Sequence, residues 1–215
     1  IAAAGDHANT LHWIKNDGPL REGDLVLMDA GIEIDSLYTA DITRTMPVGG
    51  TFTTPQRQVY DAVRASQQAG MDAARAGAKF ADVHNAAVRV LAQTFADWGI
   101  LPVSPDEALS PAGGQWRRWM VHGTSHHLGL DVHDCAQARV ENYRKGTLRA
   151  GMVITVEPGI YFKSTDLKVP PELRGIGVRI EDDIVITPNG CDILSSHLPR
   201  ESRAVEDWMA SVVRK

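Results

Sequence analysis

Residues 20–31 read Leu-Arg-Glu-Gly-Asp-Leu-Val-Leu-Met-Asp-Ala-Gly, and residues 148–159 read Leu-Arg-Ala-Gly-Met-Val-Ile-Thr-Val-Glu-Pro-Gly. In each stretch a glycine precedes a short aliphatic or β-branched run, which is typical of a buried strand. Each run then ends on a carboxylate, Asp29 in the first and Glu157 in the second, just before residues that break a strand. Two strands that deliver an acid at the same point predict a duplicated half-domain.

The likeness continues downstream of both runs. Residues 41–47 read Asp-Ile-Thr-Arg-Thr-Met-Pro and residues 181–188 read Glu-Asp-Asp-Ile-Val-Ile-Thr-Pro. Each segment predicts a strand that begins after an acidic residue and ends at a proline, because proline cannot donate a ladder hydrogen bond. The alternative is a coincidence between hydrophobic strands, which the aligned acids disfavour.

Two helices are predicted between the halves. Thr54 is a hydroxyl N-cap, Pro55 suits the first helical position, and the apolar face that follows ends at Gly77. Asp82 can cap the second helix, which Gly99 stops. These helices should pack on the outside of an antiparallel sheet, which gives the class α+β.

The second half consists of helices followed by strands, so the first half is expected to have the same plan. Residues 1–19 are too few for two such helices. We therefore expect the first-half helices to be missing, and the domain over residues 1–215 to be incomplete at its N-terminus. Residues 102–114 and 161–175 are predicted loops, rich in proline and small residues.

Composition excludes several classes of protein. The chain has 215 residues, of which 43% are hydrophobic and 23% charged, as in an ordinary globular domain. Its net charge of −5 argues against a nucleic-acid-binding or polybasic membrane-binding surface. No apolar run approaches the ~18 residues that a membrane helix needs. Cys135 and Cys191 are too few for a disulfide framework, so we predict a reducing, cytoplasmic location.

Five residues could form a site for hard metal ions. Carboxylates that converge in a core repel one another and have raised pKa values unless cations compensate for them. Carboxylates with one imidazole suit manganese, cobalt, iron or zinc, and two ions ~3.5–4 Å apart would lower the pKa of a water to ~7. Taken singly, each acid could instead be a solvated surface charge. The predicted ligands are Asp29, Asp41, His126, Glu157 and Glu181.

Residues 121–134 contain four histidines, of which His122, His126 and His133 are candidates for the site. This segment is not the helical zinc-protease motif, because Gly123 stands where that motif needs glutamate. His126 is the predicted ligand, while His122 and His133 are candidates for binding or proton transfer. The alternative is that the latter two are ordinary polar residues beside glycine turns.

Alternation over residues 128–132, flanked by glycines, favours strand and loop. His7, His84 and His197 lie in polar settings and are interpreted as solvated, whereas the role of His127 stays open.

Together these segments resemble the pita-bread (creatinase/aminopeptidase) metallopeptidases, the group that holds aminopeptidase P, prolidase and methionine aminopeptidase. Within the group the histidine segment is most similar to aminopeptidase P, with prolidase next. The resemblance implies a pseudo-twofold antiparallel sheet with helices packed outside, and an upstream domain that residues 1–215 do not include. The matching blocks are residues 28–31, 40–45, 122–126, 129–134, 155–159 and 178–182.

The resemblance implies a dinuclear centre. Asp29 would chelate one metal, and His126 and Glu157 would hold the other. Asp41 and Glu181 would bridge the two ions. Manganese is the first choice of metal, with cobalt, zinc or iron as alternatives.

The resemblance also implies contacts with a substrate. His12 would contact the substrate, and His122 and His133 would flank the scissile bond and the proline pocket beside Arg179. Glu157 would shuttle a proton from water to the leaving proline nitrogen.

The implied activity is that of an aminopeptidase that removes an N-terminal residue preceding proline. Its partners would be proline-containing peptides, and the full-length protein would form a homo-oligomer without nucleic-acid or membrane partners. Two alternatives stay open: a prolidase restricted to Xaa-Pro dipeptides, and a non-catalytic peptide-binding module on the same fold.

Overall fold

The computed structural model describes residues 1–213, so the last two residues of the domain expected over residues 1–215 lie outside it. The strands are β1 (Ala2–Ala4), β2 (Leu25–Ala30), β3 (Ile42–Pro47), β4 (Val153–Val156), β5 (Gly159–Tyr161), β6 (Gly177–Arg179), β7 (Asp182–Ile186) and β8 (Cys191–Ile193). The helices are α1 (Thr54–Ala73), α2 (Phe80–Asp97), α3 (Pro105–Leu109) and α4 (Ser202–Val213).

Two antiparallel sheets correspond to the predicted halves. In the first, β2 lies between β1 and β3, and Asp29 is opposite Thr43. In the second, β7 lies between β4 and β8, and Val156 is opposite Asp182. The strands β5 and β6 form a separate antiparallel pair. In each half the end of one strand therefore lies beside the start of its antiparallel partner: β2 beside β3, and β4 beside β7.

Residues 124–128 lie beside β4, as β1 lies beside β2. Three backbone hydrogen bonds join this segment to β4 and to Glu157 just after it, and His127 forms an antiparallel bridge with Ile154. Of the strand and loop expected over residues 128–132, the strand is wrong, because the chain bends there and the N–H of Gly129 donates to the carbonyl of Asp131.

Helix α1 begins at a hydroxyl cap, but the cap is Thr53 and not Thr54. The Thr53 hydroxyl accepts from the N–H of Gln56, whose side chain accepts from the N–H of Thr53, so the two form a capping box. The helix ends at Ala73, before Gly77, where the chain turns with φ +89°.

The start of helix α2 also differs from the prediction. Its N-cap is Lys79, and Asp82 lies inside the first turn, where its carboxylate accepts from the N–H of Lys79 at 2.8 Å. An acid here stabilises the positive end of the helix dipole.

The two predicted loops contain short helices. Residues 102–114 include α3, because the Ser104 hydroxyl accepts from the N–H of Glu107 at 3.2 Å. Residues 161–175 include a 3-10 helix at Pro171–Leu173. A single helical turn has too little periodicity to be visible in the sequence.

Helices α1 and α2 pack against each other and cover the strands from outside. Val63, Leu91 and Val178 are fully buried in the core that they share. Gly70 permits the close approach of α1 to β4, because a Cβ there would lie 3.0 Å from a methyl group of Val156. Residues 1–24 hold β1 and a 3-10 helix, so this helix pair has no counterpart among the described residues of the first half. Across residues 1–213, every helix is too short or too polar to cross a bilayer.

Strand β3 joins the two halves through buried side chains. The Thr45 hydroxyl donates to the carbonyl of Arg179 and accepts from its N–H, and the N–H of Glu181 donates to the carbonyl of Thr43. Beside them Arg44 donates at 2.6 Å to Asp182, whose side chain is fully buried. The halves are thus held together by polar contacts that water does not reach.

Replacing Arg44 with methionine should leave the buried Asp182 carboxylate without its closer cation, with only Arg200 at 3.9 Å remaining. We expect R44M to lower the free energy of unfolding by about 3–5 kcal/mol, measured by urea denaturation. Arg89→Ala is the control, because Arg89 and Asp106 form an exposed pair at 3.6 Å; it should change stability by less than about 0.5 kcal/mol. Equal losses in the two variants would contradict this prediction.

Candidate metal centre

A cavity of about 700 Å³ is lined by residues of both halves. Every residue that the sequence singled out for binding or catalysis lines it, although they come from positions 12 to 181. These residues are His12, Asp29, Asp41, His122, His126, His133, Glu157, Arg179 and Glu181.

The four acids reach the cavity from strand ends. Asp29 is the penultimate residue of β2, and Glu157 directly follows β4. Asp41 directly precedes β3, and Glu181 directly precedes β7. In each half the two strands are antiparallel neighbours, so the end of one strand lies beside the start of the other. The two carboxylates of each half therefore lie at the same edge of their sheet.

His126 is oriented for metal binding through Nε2. Its Nδ1–H donates to the carbonyl of His127 at 3.0 Å, so Nε2 is the ring nitrogen that faces the acids and is available to a metal ion. Nε2 lies 3.5 Å from Asp41 and 3.7 Å from Glu157. Ligand atoms of Asp41, His126 and Glu181 all lie within 4.8 Å of one another. Carboxylate oxygens with one imidazole nitrogen are a donor set that fits divalent cations.

Burial raises the pKa values of two of these acids. Removal from water raises the pKa of Glu157 to about 7, against the lowering effect of His126 and Arg179. Burial, with the neighbouring charges of Glu157 and Asp41, raises the pKa of Glu181 well above its usual value. Protons or cations must therefore neutralise part of the cluster near neutral pH.

Asp41 and His126 behave as a pair of opposite charges. Burial opposes the charge of Asp41, but hydrogen bonds with His126 and Asp29 and the nearby imidazoles outweigh it and lower its pKa. Burial also opposes the charge of His126, and the carboxylates of Asp41 and Glu157 reverse that effect and raise its pKa.

A chain of hydrogen bonds runs along one wall of the cavity. Arg179 is buried and donates to Asp29 at 2.6 Å and to the hydroxyl of Tyr161 at 3.1 Å. That hydroxyl lies 2.7 Å from Nε2 of His122, whose Nδ1–H donates to the carbonyl of Gly123. Because Nδ1 carries the proton, Nε2 of His122 accepts from Tyr161. Burial, and then the charge of Arg179, lower the pKa of His122 to about 3, so its ring is neutral.

His133 and His12, the remaining predicted contacts, also line the cavity. The ring of His133 is perpendicular to that of His126, with 4.5 Å between centroids. Burial, and then the charge of His126, lower the pKa of His133. His12 lines the cavity together with Leu11.

The interpretation of His84 as a solvated residue is wrong. His84 lines the cavity, and its Nδ1 accepts from the N–H of Thr124 and lies 2.7 Å from the Thr124 hydroxyl. Burial lowers the pKa of this histidine. The sequence did carry a signal, because His84 lies four residues after Phe80 and four before Val88, on the buried stripe of α2.

Of the other unassigned histidines, two stack on aromatic side chains and one is exposed. His127 stacks on Phe80, with 5.1 Å between ring centroids. His7 is half-buried and stacks on Trp13, so it is not fully solvated, whereas His197 is exposed as predicted. Tyr161 was missed, because nothing in its sequence context distinguishes it from a core tyrosine.

The raised pKa of Glu157 predicts a pH dependence of stability for the metal-free protein. The folded protein keeps a proton that the unfolded chain releases above its usual pKa of 4.5, so wild-type stability falls as the pH rises from there to about 7. Glu157→Gln removes this contribution. The stability of E157Q relative to wild type should therefore increase over that range, measured by urea denaturation with a chelator present.

The control is Glu172→Gln, since Glu172 is exposed. Its stability relative to wild type should not vary with pH in the same way. A difference between E157Q and wild type that stays constant over the range would rule out the raised pKa.

Comparison with known proteins adds independent information. Residues 1–188 match the model of metallopeptidase family M24. Xaa-Pro aminopeptidase 1 of Streptomyces coelicolor is 57% identical over 212 residues, which cover 99% of this chain and 43% of the relative. Xaa-Pro aminopeptidase of Escherichia coli is 41% identical over 211 residues, which cover 98% of this chain and 46% of the relative.

Solved structures agree with this fold. Aminopeptidase PepP of Pseudomonas aeruginosa superposes with a TM-score of 0.93 at 40% identity, over 100% of this chain and 48% of that one. Aminopeptidase P of Escherichia coli with the inhibitor Pro-Leu gives a TM-score of 0.92 at 40% identity, with the same coverage. The chain thus spans less than half the length of these relatives. Its pita-bread fold and its sequence agree, and the chain belongs to metallopeptidase family M24.

Proposed function

We propose that this chain is the catalytic domain of a dinuclear metal-dependent aminopeptidase. It hydrolyses the bond between an N-terminal residue and a following proline. The observation that carries this proposal is the convergence of four carboxylates and one oriented imidazole, from both halves, on one cavity. The names of the relatives, Xaa-Pro aminopeptidases, support the choice of substrate.

The proposed metal ligands are the five residues predicted from the sequence. Asp29 would help to hold one ion, His126 and Glu157 would help to hold the other, and Asp41 and Glu181 would contribute to both. When bound, two divalent ions, with manganese as the first choice, polarise the scissile carbonyl and make water a stronger nucleophile.

Glu157 is the proposed proton carrier. One of its oxygens faces His126 and the other lies 3.7 Å from Nδ1 of His122. A carboxylate in this position can accept a proton from the attacking water and deliver it to the proline nitrogen as the bond breaks. The tertiary proline nitrogen, like any amide nitrogen, leaves as an amine only when it gains a proton as the bond breaks.

The histidines and Arg179 supply the proposed peptide contacts. His122 and His133 flank the scissile bond, and His12 contacts the substrate from the first half. Arg179 contributes indirectly as well, because its ion pair with Asp29 fixes the orientation of that carboxylate. Because His122 is neutral and accepts from Tyr161, its proposed contact is made without a positive charge.

Three further parts of the proposal concern the whole protein. The domain extends over residues 1–215, the full-length protein is a homo-oligomer, and its location is cytoplasmic. Cys135 and Cys191 are both free, which is compatible with a reducing compartment.

Removing a bridging acid should abolish metal-dependent cleavage. We expect Asp41→Ala and Glu181→Ala each to lower kcat/KM for a tripeptide with proline second by at least ~100-fold, since bound metal supplies several kcal/mol of transition-state stabilisation. Glu172→Ala, an exposed acid, is the control. Retained activity in either bridging variant would refute the site, and a purified wild-type protein without metal would favour the non-catalytic alternative.

Peptide length separates an aminopeptidase from a prolidase. We expect the protein to hydrolyse Ala-Pro-Ala with a higher kcat/KM than Ala-Pro, because the relatives are aminopeptidases. Release of alanine, measured with both peptides at the same metal concentration, gives the ratio. Exclusive hydrolysis of the dipeptide would replace this proposal with the prolidase alternative.

A further inference from the structure

Gln67 of helix α1 is fully buried behind the metal centre. Its Nε2 lies 2.8 Å from a carboxylate oxygen of Asp182, 3.2 Å from the carbonyl of Val156 and 3.3 Å from the carbonyl of Ile180. All three neighbours are hydrogen-bond acceptors, so only the NH₂ group of the amide can face them. The orientation of this side chain is therefore fixed by its surroundings.

The two carbonyls belong to the residues directly before two proposed ligands. A carbonyl and the following N–H share one rigid plane, so the carbonyl of Val156 and the N–H of Glu157 move together. The N–H of Glu157 donates to the carbonyl of Thr124 at 2.8 Å. Gln67 and Thr124 thus hold the two sides of the peptide plane that leads into Glu157.

The second ligand is held in the same way. The carbonyl of Ile180 accepts from Gln67, and the N–H of Glu181 donates to the carbonyl of Thr43 at 3.1 Å. One nitrogen of Gln67 therefore joins the peptide planes of both glutamates. It links their backbones across the gap between β4 and the turn that connects β6 to β7.

The amide of Gln67 also destabilises the fold through its second polar atom. The carbonyl oxygen of Gln67 is buried and has no hydrogen-bond partner among the described residues. An unpaired buried acceptor destabilises a fold, and Asp182 is already held by Arg44 and Ser195. An apolar side chain of the same size would avoid the unpaired oxygen, but it could not join the two carbonyls.

We propose that Gln67 is a positioning residue of the metal centre, whose single amide nitrogen sets the spacing between the backbones of Glu157 and Glu181. This inference rests on the proposed function, because it assumes that both glutamates bind metal. Their side chains can meet the same pair of ions only when their backbones keep this spacing.

The test uses Co²⁺ as the probe with the 215-residue chain. Gln67→Met keeps the length and approximate volume of the side chain and removes its donors. We expect the dissociation constant for Co²⁺, measured by calorimetry, to rise by ~10- to 100-fold, as for other partners of metal ligands. The visible absorption of bound Co²⁺ should change as well, because it reports ligand geometry.

Ser66→Ala is the matched control. Ser66 is the preceding residue of the same helix, is equally buried, and donates to the carbonyl of Ala87 on α2, away from the cavity. S66A loses a buried hydrogen bond, so its thermal unfolding temperature should fall while its Co²⁺ affinity and spectrum stay as in wild type. Should Q67M not fold, Gln67→Asn, which keeps a shortened amide, should fold and bind Co²⁺ more weakly than S66A.

Each outcome has a defined meaning. If Q67M, or Q67N in its place, binds Co²⁺ with wild-type affinity and an unchanged spectrum, the positioning role is refuted and the metal centre stands. If the wild-type chain binds no Co²⁺ at all, the metal centre is refuted and this inference with it.

Discussion

Four carboxylates line one cavity, and the neighbouring side chains must offset the repulsion between their negative charges. Three side chains partly compensate for the charges of the four acids. Arg179 pairs with Asp29, His126 lies between Asp41 and Glu157, and the Thr43 hydroxyl donates to Glu181. These partners do not neutralise the cluster, because burial and the remaining charges still raise the pKa values of Glu157 and Glu181. Divalent cations would complete the compensation.

The internal repeat explains why so much of the site could be predicted. Asp29 and Glu157 follow equivalent strands, so a pattern local in sequence fixed where each carboxylate would emerge. The pairing of those strands then followed from antiparallel geometry. The family resemblance supported the choice of His126 as the predicted ligand, since spacing alone did not distinguish it from His122. Helix caps were displaced by a few residues because several polar residues near each start could act as the cap.

Contacts between distant elements could not be predicted. Nothing in the sequence around Gln67 indicates that it reaches Val156 and Ile180, because the approach depends on Gly70 and on how α1 packs against β4. The same holds for Tyr161, whose role depends on Arg179 and His122. A periodic pattern identifies a buried face, but it does not identify which strand that face will meet. The missed residues are therefore those whose contacts depend on how particular helices and strands pack together.

The junction along β3 also has a kinetic consequence. The Thr43 hydroxyl and the Glu181 carboxylate are 138 residues apart in the chain, and Thr45 and Arg179 are 134 apart. Contacts of such long range form slowly, because closing a large loop costs entropy before other interactions offset it. The local β2–β3 and α1–α2 pairs can form without that closure, so the acids meet only late in folding. A chain interrupted partway would therefore hold its carboxylates apart, each still solvated, until the second half docks.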